Sequence, residues 1–410
     1  MRVELLTCGD ELLSGAVADT NGAWLMARLH EGGVLAARNT CVGDDLDAIS
    51  EALTEALQRG VRLLVICGGL GPTEDDITAA AAAKAAGVNR GIDHRARALV
   101  ERQLAARGAA VTDRQLRQAL LPEGASALEN VVGTAPGFSL KLGDCKAFFL
   151  PGPPAEFCPM VEKHVLPWLA RSHTGNTATI TLKTFGYREA SLADLVDPVA
   201  DRFTDVKIGY HLVQPEIHLR LRAQGATKET ARQRCEQLAG ELEQTLGEAI
   251  FGRNNDTLAA AVGEMLADRC QTLALAESCT GGLLGEMITA SPGASRYLLA
   301  SLVTYSDEMK VRILEVPRKL LVSEGAVSEA CVRAMAEGAR AAAASDHSLA
   351  VTGVAGPAGG TEEKPVGTVW LAHSNEAETV TMKKRFHGDR EAIRRHSAHA
   401  ALDLLRRRLA

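Results

Sequence analysis

The run Arg62-Leu63-Leu64-Val65-Ile66-Cys67-Gly68-Gly69-Leu70-Gly71-Pro72-Thr73 decides the fold of the first part of the chain. Arg62–Cys67 is apolar and β-branched enough to read as a buried strand. The glycines break it ahead of an Ala-rich stretch that reads as a helix closed by Gly87. A strand running through a glycine turn into a helix leaves backbone N–H groups open toward a phosphate. Arg2–Thr7 predicts a first strand, Asn21–His30 a helix stopped at Gly32-Gly33, and Val34–Thr40 a second strand. Leu46, Ile49, Leu53 and Leu57 form the apolar face of a helix that Asp44 or Asp45 can cap and Gly60 ends. This alternation predicts an α/β fold with a doubly wound parallel sheet.

A second signal of the same kind follows a predicted helix over Asp256–Asp268: strand Thr272–Ala276, then Glu277-Ser278-Cys279-Thr280-Gly281-Gly282 leading into a helix. Further strands are expected at Leu299–Thr304, Leu349–Thr352, Gly367–Ala372 and Thr379–Lys384. Between the two α/β regions the pattern changes to strand (Ala178–Phe185), helix, two strands (Lys207–His211, Glu216–Arg222) and a long polar helix over Lys228–Leu246. That order suggests a small α+β, KH-like module. It carries no G-x-x-G loop, the feature that clamps RNA, so a spacer or dimerisation role is expected. Three domains result, over residues 1–170, 171–252 and 253–410.

With 410 residues the chain exceeds one ordinary core, and 46% hydrophobic with 23% charged residues is the composition of a folded protein. A formal charge of −6 disfavours nucleic acid or an anionic membrane as the main partner. Arg394, Arg395, Arg406, Arg407 and Arg408 read as a solvated helix face. The nine cysteines form no C-x-x-C pair, which argues against zinc ribbons and a disulfide framework and for a reducing compartment. The first residues enter a strand without a leader pattern, and no apolar run approaches the ~18 residues of a membrane span. A soluble, cytoplasmic protein is the expectation.

Ser278 at a strand-to-helix turn can be a nucleophile beside N–H groups that hold an oxyanion, and an N-cap is its plainer reading. Cys279 is the rival nucleophile. No G-x-S-x-G is present, and the histidines of this region form no triad pattern, so Lys310 is the candidate base, if burial lowers its pKa. Otherwise it is a solvated helix lysine. Thr352-Gly353-Val354-Ala355-Gly356-Pro357-Ala358-Gly359-Gly360, followed by Lys364-Pro365-Val366-Gly367, is a second glycine loop able to approach a phosphate or ribose closely, or a plain turn.

Those segments, with Val303-Thr304-Tyr305-Ser306, Gly325-Ala326-Val327-Ser328 and Gly388-Asp389-Arg390, resemble the nicotinamide mononucleotide deamidase family. The resemblance implies a Ser/Lys amidohydrolase without cofactor. Ser278 would be the nucleophile and Lys310 the base, with Tyr305 as a catalytic-site partner. Cys279, Thr280, Gly281, Gly282, Thr352, Gly353, Gly356, Gly359, Gly360 and Arg390 would surround the substrate, Arg390 at its phosphate.

Gly9-Asp10-Glu11-Leu12-Leu13-Ser14-Gly15, Asp19-Thr20-Asn21, Val42-Gly43-Asp44-Asp45, Gly68–Thr73 with Glu74-Asp75-Asp76, Gly133-Thr134-Ala135-Pro136-Gly137-Phe138 and Leu150-Pro151-Gly152-Pro153-Pro154 resemble the N-terminal domain of the CinA family, which is related to molybdopterin-binding folds. The whole chain follows the CinA order of domains. The resemblance implies hydrolysis of ADP-ribose to AMP and ribose 5-phosphate and a homodimer. Gly68, Gly69, Gly71, Thr73 and Asn21 would bind substrate. Asp10, Asp75 and Asp76 would hold a divalent ion, Mg2+ or Co2+, with K+ as a further candidate. Cys8 and Ala358 depart from the family pattern. The alternative is a nucleotide- or molybdopterin-binding accessory protein linked to competence or DNA damage, with one or both domains inactive.

Overall fold

The structure, a computed structural model, describes residues 1–172 and 176–410, so residues 173–175 of the expected middle module lie outside the described residues. The chain resolves into two compact units, Met1–Thr179 with Gln224–Ala231, and Ile180–Ala223 with Arg232–Ala410.

In the first unit, β1 (Val3–Cys8), α1 (Thr20–Glu31), β2 (Ala36–Val42), α2 (Leu46–Gln58), β3 (Leu63–Cys67) and α3 (Thr78–Ala86) alternate as the apolar pattern requires. They are followed by β4 (Ser126–Leu128), β5 (Gly137–Leu142) and β6 (Cys145–Leu150), giving a sheet of order β2-β1-β3-β6-β5-β4. Strands β2, β1, β3 and β6 are parallel. β5 pairs antiparallel with both β6 and β4, so the sheet is doubly wound with antiparallel pairing at one edge rather than wholly parallel. Every residue of β1 and β3 is buried, and apolar clusters cover both faces of the sheet. Asp45, not Asp44, caps α2, accepting from the Asp47 and Ala48 N–H groups.

The KH-like middle module comprises β7 (Thr177–Thr184), α4 (Glu189–Ala200), β8 (Val206–Val213), β9 (Glu216–Gln224), α5 (Lys228–Leu246) and β10 (Ile250–Arg253), with strand order β8-β9-β7-β10. Its strands β7 and β9 alternate buried and half-buried residues, the period of a sheet covered on one face.

The rest of the second unit begins with α6 (Leu258–Asp268), β11 (Leu273–Glu277), α7 (Leu283–Thr289), β12 (Leu298–Val303), α8 (Asp307–Leu314) and α9 (Glu329–Ala343). It continues with β13 (His347–Gly353), β14 (Thr368–Ser374), β15 (Thr379–Arg385) and α10 (Arg390–Leu409). The sheet order is β12-β11-β13-β14-β15, with β12, β11 and β13 parallel and β14 paired antiparallel with both β13 and β15. In both α/β domains a central parallel strand therefore has its sequence neighbours on opposite sides. The crevice beyond its carboxyl end is where open α/β sheets bind ligands. Cys8-Gly9 and Gly68 sit at that point of the first domain, Ser278 and Thr352 at that of the last. Among the described residues no helix is long and apolar enough to cross a membrane.

Candidate functional site

β11 ends at Glu277, whose carboxylate is fully buried and turned into the start of α7. One oxygen accepts from the Gly282 and Leu284 N–H groups at 3.0 and 3.1 Å, the other from Gly285 at 2.9 Å. The N-cap position of α7 is Gly282, and the N–H groups there are taken up by Glu277 rather than by Ser278, which leaves the serine hydroxyl for other use. Gly282 has φ +97°, a left-handed conformation that suits glycine and lets the chain turn sharply into α7.

Lys310 lies on α8 behind its cap Ser306 and is 1% exposed, so it is not a solvated lysine. Its Nζ is 3.1 Å from Ser278 Oγ, 3.0 Å from the Thr304 carbonyl and 3.1 Å from the Tyr305 carbonyl. Burial holds its ammonium below the ordinary lysine value. Nζ donates to the serine hydroxyl oxygen and to both carbonyls, which fixes it within proton-transfer reach of Oγ. Burial pushes the Cys279 thiol up to about 12, which removes the thiolate that a cysteine nucleophile requires.

Arg390, the first residue of α10, donates to the Gly356 carbonyl at 2.7 Å and to the Tyr305 hydroxyl at 2.9 Å, which brings three of the expected residues together. Thr352 is buried and donates to the Ala326 carbonyl at 2.9 Å, so its hydroxyl braces a neighbouring loop. Gly353 closes β13, and the segment carrying Gly356, Gly359 and Gly360 is anchored by Val354 donating to Thr368 and Gly367 donating to Val354. The arginine run is not a uniform solvated face. Arg394 donates from Nε and Nη2 to the Thr280 carbonyl at 3.1 and 2.7 Å, and Arg406 is buried against Asp403. Arg394 and Glu277 escape sequence reading because a charged residue on a helix or strand end gives no local sign of a partner elsewhere in the chain.

In the first unit a cleft of roughly 440 Å3 is lined by Gly9, Glu11, Asp44, Gly68, Gly69, Gly71, Thr73, Asp75, Asp76, Arg107, Gln118 and Gly152 among others. Gly68, at φ +105°, passes so close to β1 that a Cβ there would run into the Cys8 carbonyl. Asn21 stands behind the cleft, donating to the Gly152 carbonyl at 2.6 Å. Asp76 accepts from the Gly71 N–H at 2.6 Å and from the Thr73 N–H and hydroxyl at 2.7 and 2.5 Å, so both its oxygens shape the glycine turn. Asp10 exchanges hydrogen bonds with Asp44, each carboxylate accepting the other's N–H. Asp10, Asp75 and Asp76 are not gathered as one ligand set: among the described residues no group of three or more His, Cys, Asp or Glu is placed to hold a metal ion. What the cleft does have is crowded negative charge. Burial, with the nearby charges of Asp10, Glu11 and Asp75, pushes the Asp44 carboxyl above the usual carboxylate range. Such a wall fits an ion held by one or two carboxylates and completed by substrate phosphates, the usual habit of Mg2+.

A three-module protein is thus defined, with a molybdopterin-binding-like domain, a KH-like module and an α/β domain carrying a buried Ser–Lys pair. Residues 4–171 match the family described as probable molybdopterin binding domain, 179–252 the damage-inducible protein CinA KH domain, and 255–409 the CinA C-terminal domain. The chain is 43% identical over 409 residues to a CinA-like protein of Citrifermentans bemidjiense, covering 100% of this chain and 98% of that one. It is 44% identical over 405 residues to a CinA-like protein of a Geobacter species, covering 99% and 97%. A crystal structure of a CinA superfamily protein from Klebsiella pneumoniae is 38% identical, covers 37% of this chain and 95% of its own, and gives a TM-score of 0.36. The chain belongs to the CinA family.

Proposed function

We propose that the C-terminal domain is an amidohydrolase that converts nicotinamide mononucleotide to nicotinate mononucleotide and ammonia. The observation that carries this reading is the buried Lys310 amine within hydrogen-bond reach of Ser278 Oγ. Lys310 takes the serine proton as Oγ attacks the carboxamide carbon, and the carbonyl electrons move onto oxygen. The same proton passes to the leaving nitrogen as the C–N bond breaks, and ammonia departs. Water, deprotonated by Lys310, then attacks the serine ester, and the acid is released as Oγ regains a proton. Arg390, held by Gly356 and Tyr305, supplies the positive charge for the nucleotide phosphate.

The test is ammonia release from the mononucleotide beside free nicotinamide. The mononucleotide is expected to react far faster, and Arg390→Ala to raise KM with a smaller change in kcat. Equal rates on both compounds would remove phosphate recognition from the reading. Cys279→Ala is expected to retain most of the activity, since its thiol is buried and protonated. An inactive, folded Cys279→Ala beside an active Ser278→Ala would reverse the choice of nucleophile.

The cleft of the first domain supports a second activity, the hydrolysis of ADP-ribose to AMP and ribose 5-phosphate. The Gly68–Thr73 turn would cradle the diphosphate, and Asp44 and Asp75 would hold a divalent ion there. Such an ion offsets diphosphate charge and makes bound water a better nucleophile. This chain's own part is to orient the diphosphate on the turn, which Asp76 keeps in shape.

A further inference from the structure

Building on the amidohydrolase reading, we propose that Glu277 and Arg394 are positioning residues that clamp the turn after Ser278 so that the Cys279 and Thr280 N–H groups point at the developing oxyanion. Gly281 donates to the Ser278 carbonyl at 3.1 Å and Leu283 to the Thr280 carbonyl at 3.3 Å. Gly282, Leu284 and Gly285 all donate to Glu277. Among the described residues, the Thr280 N–H is left without a protein acceptor and the Cys279 N–H meets only its own thiol sulfur, directly beside the nucleophile.

Two adjacent N–H groups next to an attacking oxygen are what a tetrahedral oxyanion requires, provided they are held before it forms. Glu277 does this from below. By taking up the N–H groups of the first turn of α7, its carboxylate fixes the helix start relative to β11, from which Ser278 projects. Arg394 does it from α10. Its paired donors hold the Thr280 carbonyl, so that oxygen cannot rotate toward Ser278, where it would repel the oxyanion. The Thr280 side chain is fully buried, which further restricts the turn. Neither charged group reaches the serine hydroxyl in this arrangement, so both act through the backbone they hold.

The test uses the full chain and two readouts, steady-state ammonia release and the binding of 3-pyridylboronic acid. Ser278 Oγ adds to the boron while Lys310 takes the serine proton, giving an anionic tetrahedral adduct whose oxygen occupies the oxyanion position. Glu277→Gln is expected to lower kcat about 10²-fold with KM within about threefold. Arg394→Ala should lower kcat about tenfold, the order of one charge-assisted hydrogen bond, with partial restoration by added methylguanidinium. Both substitutions should weaken boronate binding by a similar factor, while product affinity changes little.

Should Glu277→Gln fail to fold, Arg394→Ala and its rescue decide the matter. The clamp is overturned if folded variants keep kcat and boronate affinity, if boronate and product affinity fall together, or if wild-type protein binds no boronate. Absence of ammonia release from wild type, with boronate binding that depends on Arg394, would sink the substrate assignment and leave the clamp standing.

Discussion

Ser278→Ala is expected to lower ammonia release from nicotinamide mononucleotide by about 10³-fold or more, and Lys310→Met to do nearly the same, because members of one catalytic unit fail together. The two side chains meet only through the fold, with Nζ 3.1 Å from Oγ. Methionine keeps the length and apolar volume of the lysine stem and removes the base. The pH dependence separates a base from a packing residue. Burial lowers the Lys310 value, so the neutral, active form persists to lower pH than for an ordinary lysine. In the wild type, kcat/KM should rise with pH and level off below the usual lysine range.

Stability moves the other way on substitution. At neutral pH the unfolded chain binds a proton at Lys310 that the folded chain holds less tightly, so the folded protein loses stability as pH falls below the unfolded lysine value. Lys310→Met removes that cost, and it should melt at or above the wild-type temperature. A folded Lys310→Met with more than about a tenth of wild-type activity would take the lysine out of the mechanism.

Gly68→Ala is expected to cut ADP-ribose hydrolysis about 10²-fold, the effect of moving a binding turn by roughly 1 Å. The added methyl group meets the Cys8 carbonyl of the adjoining strand, and the backbone at φ +105° strains any side chain, so the turn must shift. Ammonia release should be unchanged, since Ser278 and Lys310 belong to the other compact unit, which has its own apolar cores. A chelator should repeat the pattern, stopping ADP-ribose hydrolysis and sparing the Ser–Lys reaction. Near wild-type hydrolysis by Gly68→Ala would discard the glycine turn as the diphosphate site. Loss of both activities on chelation would contradict the separation of chemistries.

Strong local patterns in the sequence lead to the right elements. The polar helix over Lys228–Leu246 is found at both its ends, and the strand before Gly68 agrees to within one residue. Strand direction is less legible: an apolar run reads the same for a parallel and an antiparallel neighbour, and the antiparallel edges β4–β5 and β14–β15 appear only in the structure. The glycine turn over Gly68–Gly71 is equally plain in sequence, whereas the role of Asp76 in shaping it is not. An acid in the first residues before a helix looks the same whether it faces a metal, a backbone N–H or water.

By itself the sequence determined where the chain turns, because backbone preference and apolar spacing act over a few residues: glycines after β3 and β11 break those strands wherever the rest of the chain goes. Only the tertiary structure decided which charges leave water. Lys310 reads as an ordinary helix lysine until α8 packs it against Ser278, and Arg394 reads as a surface cation until α10 brings it to the Thr280 carbonyl. Desolvation and hydrogen bonding of a charged group depend on atoms that arrive from distant segments: desolvation lowers the lysine's proton affinity, and hydrogen bonding holds the turn beside the serine.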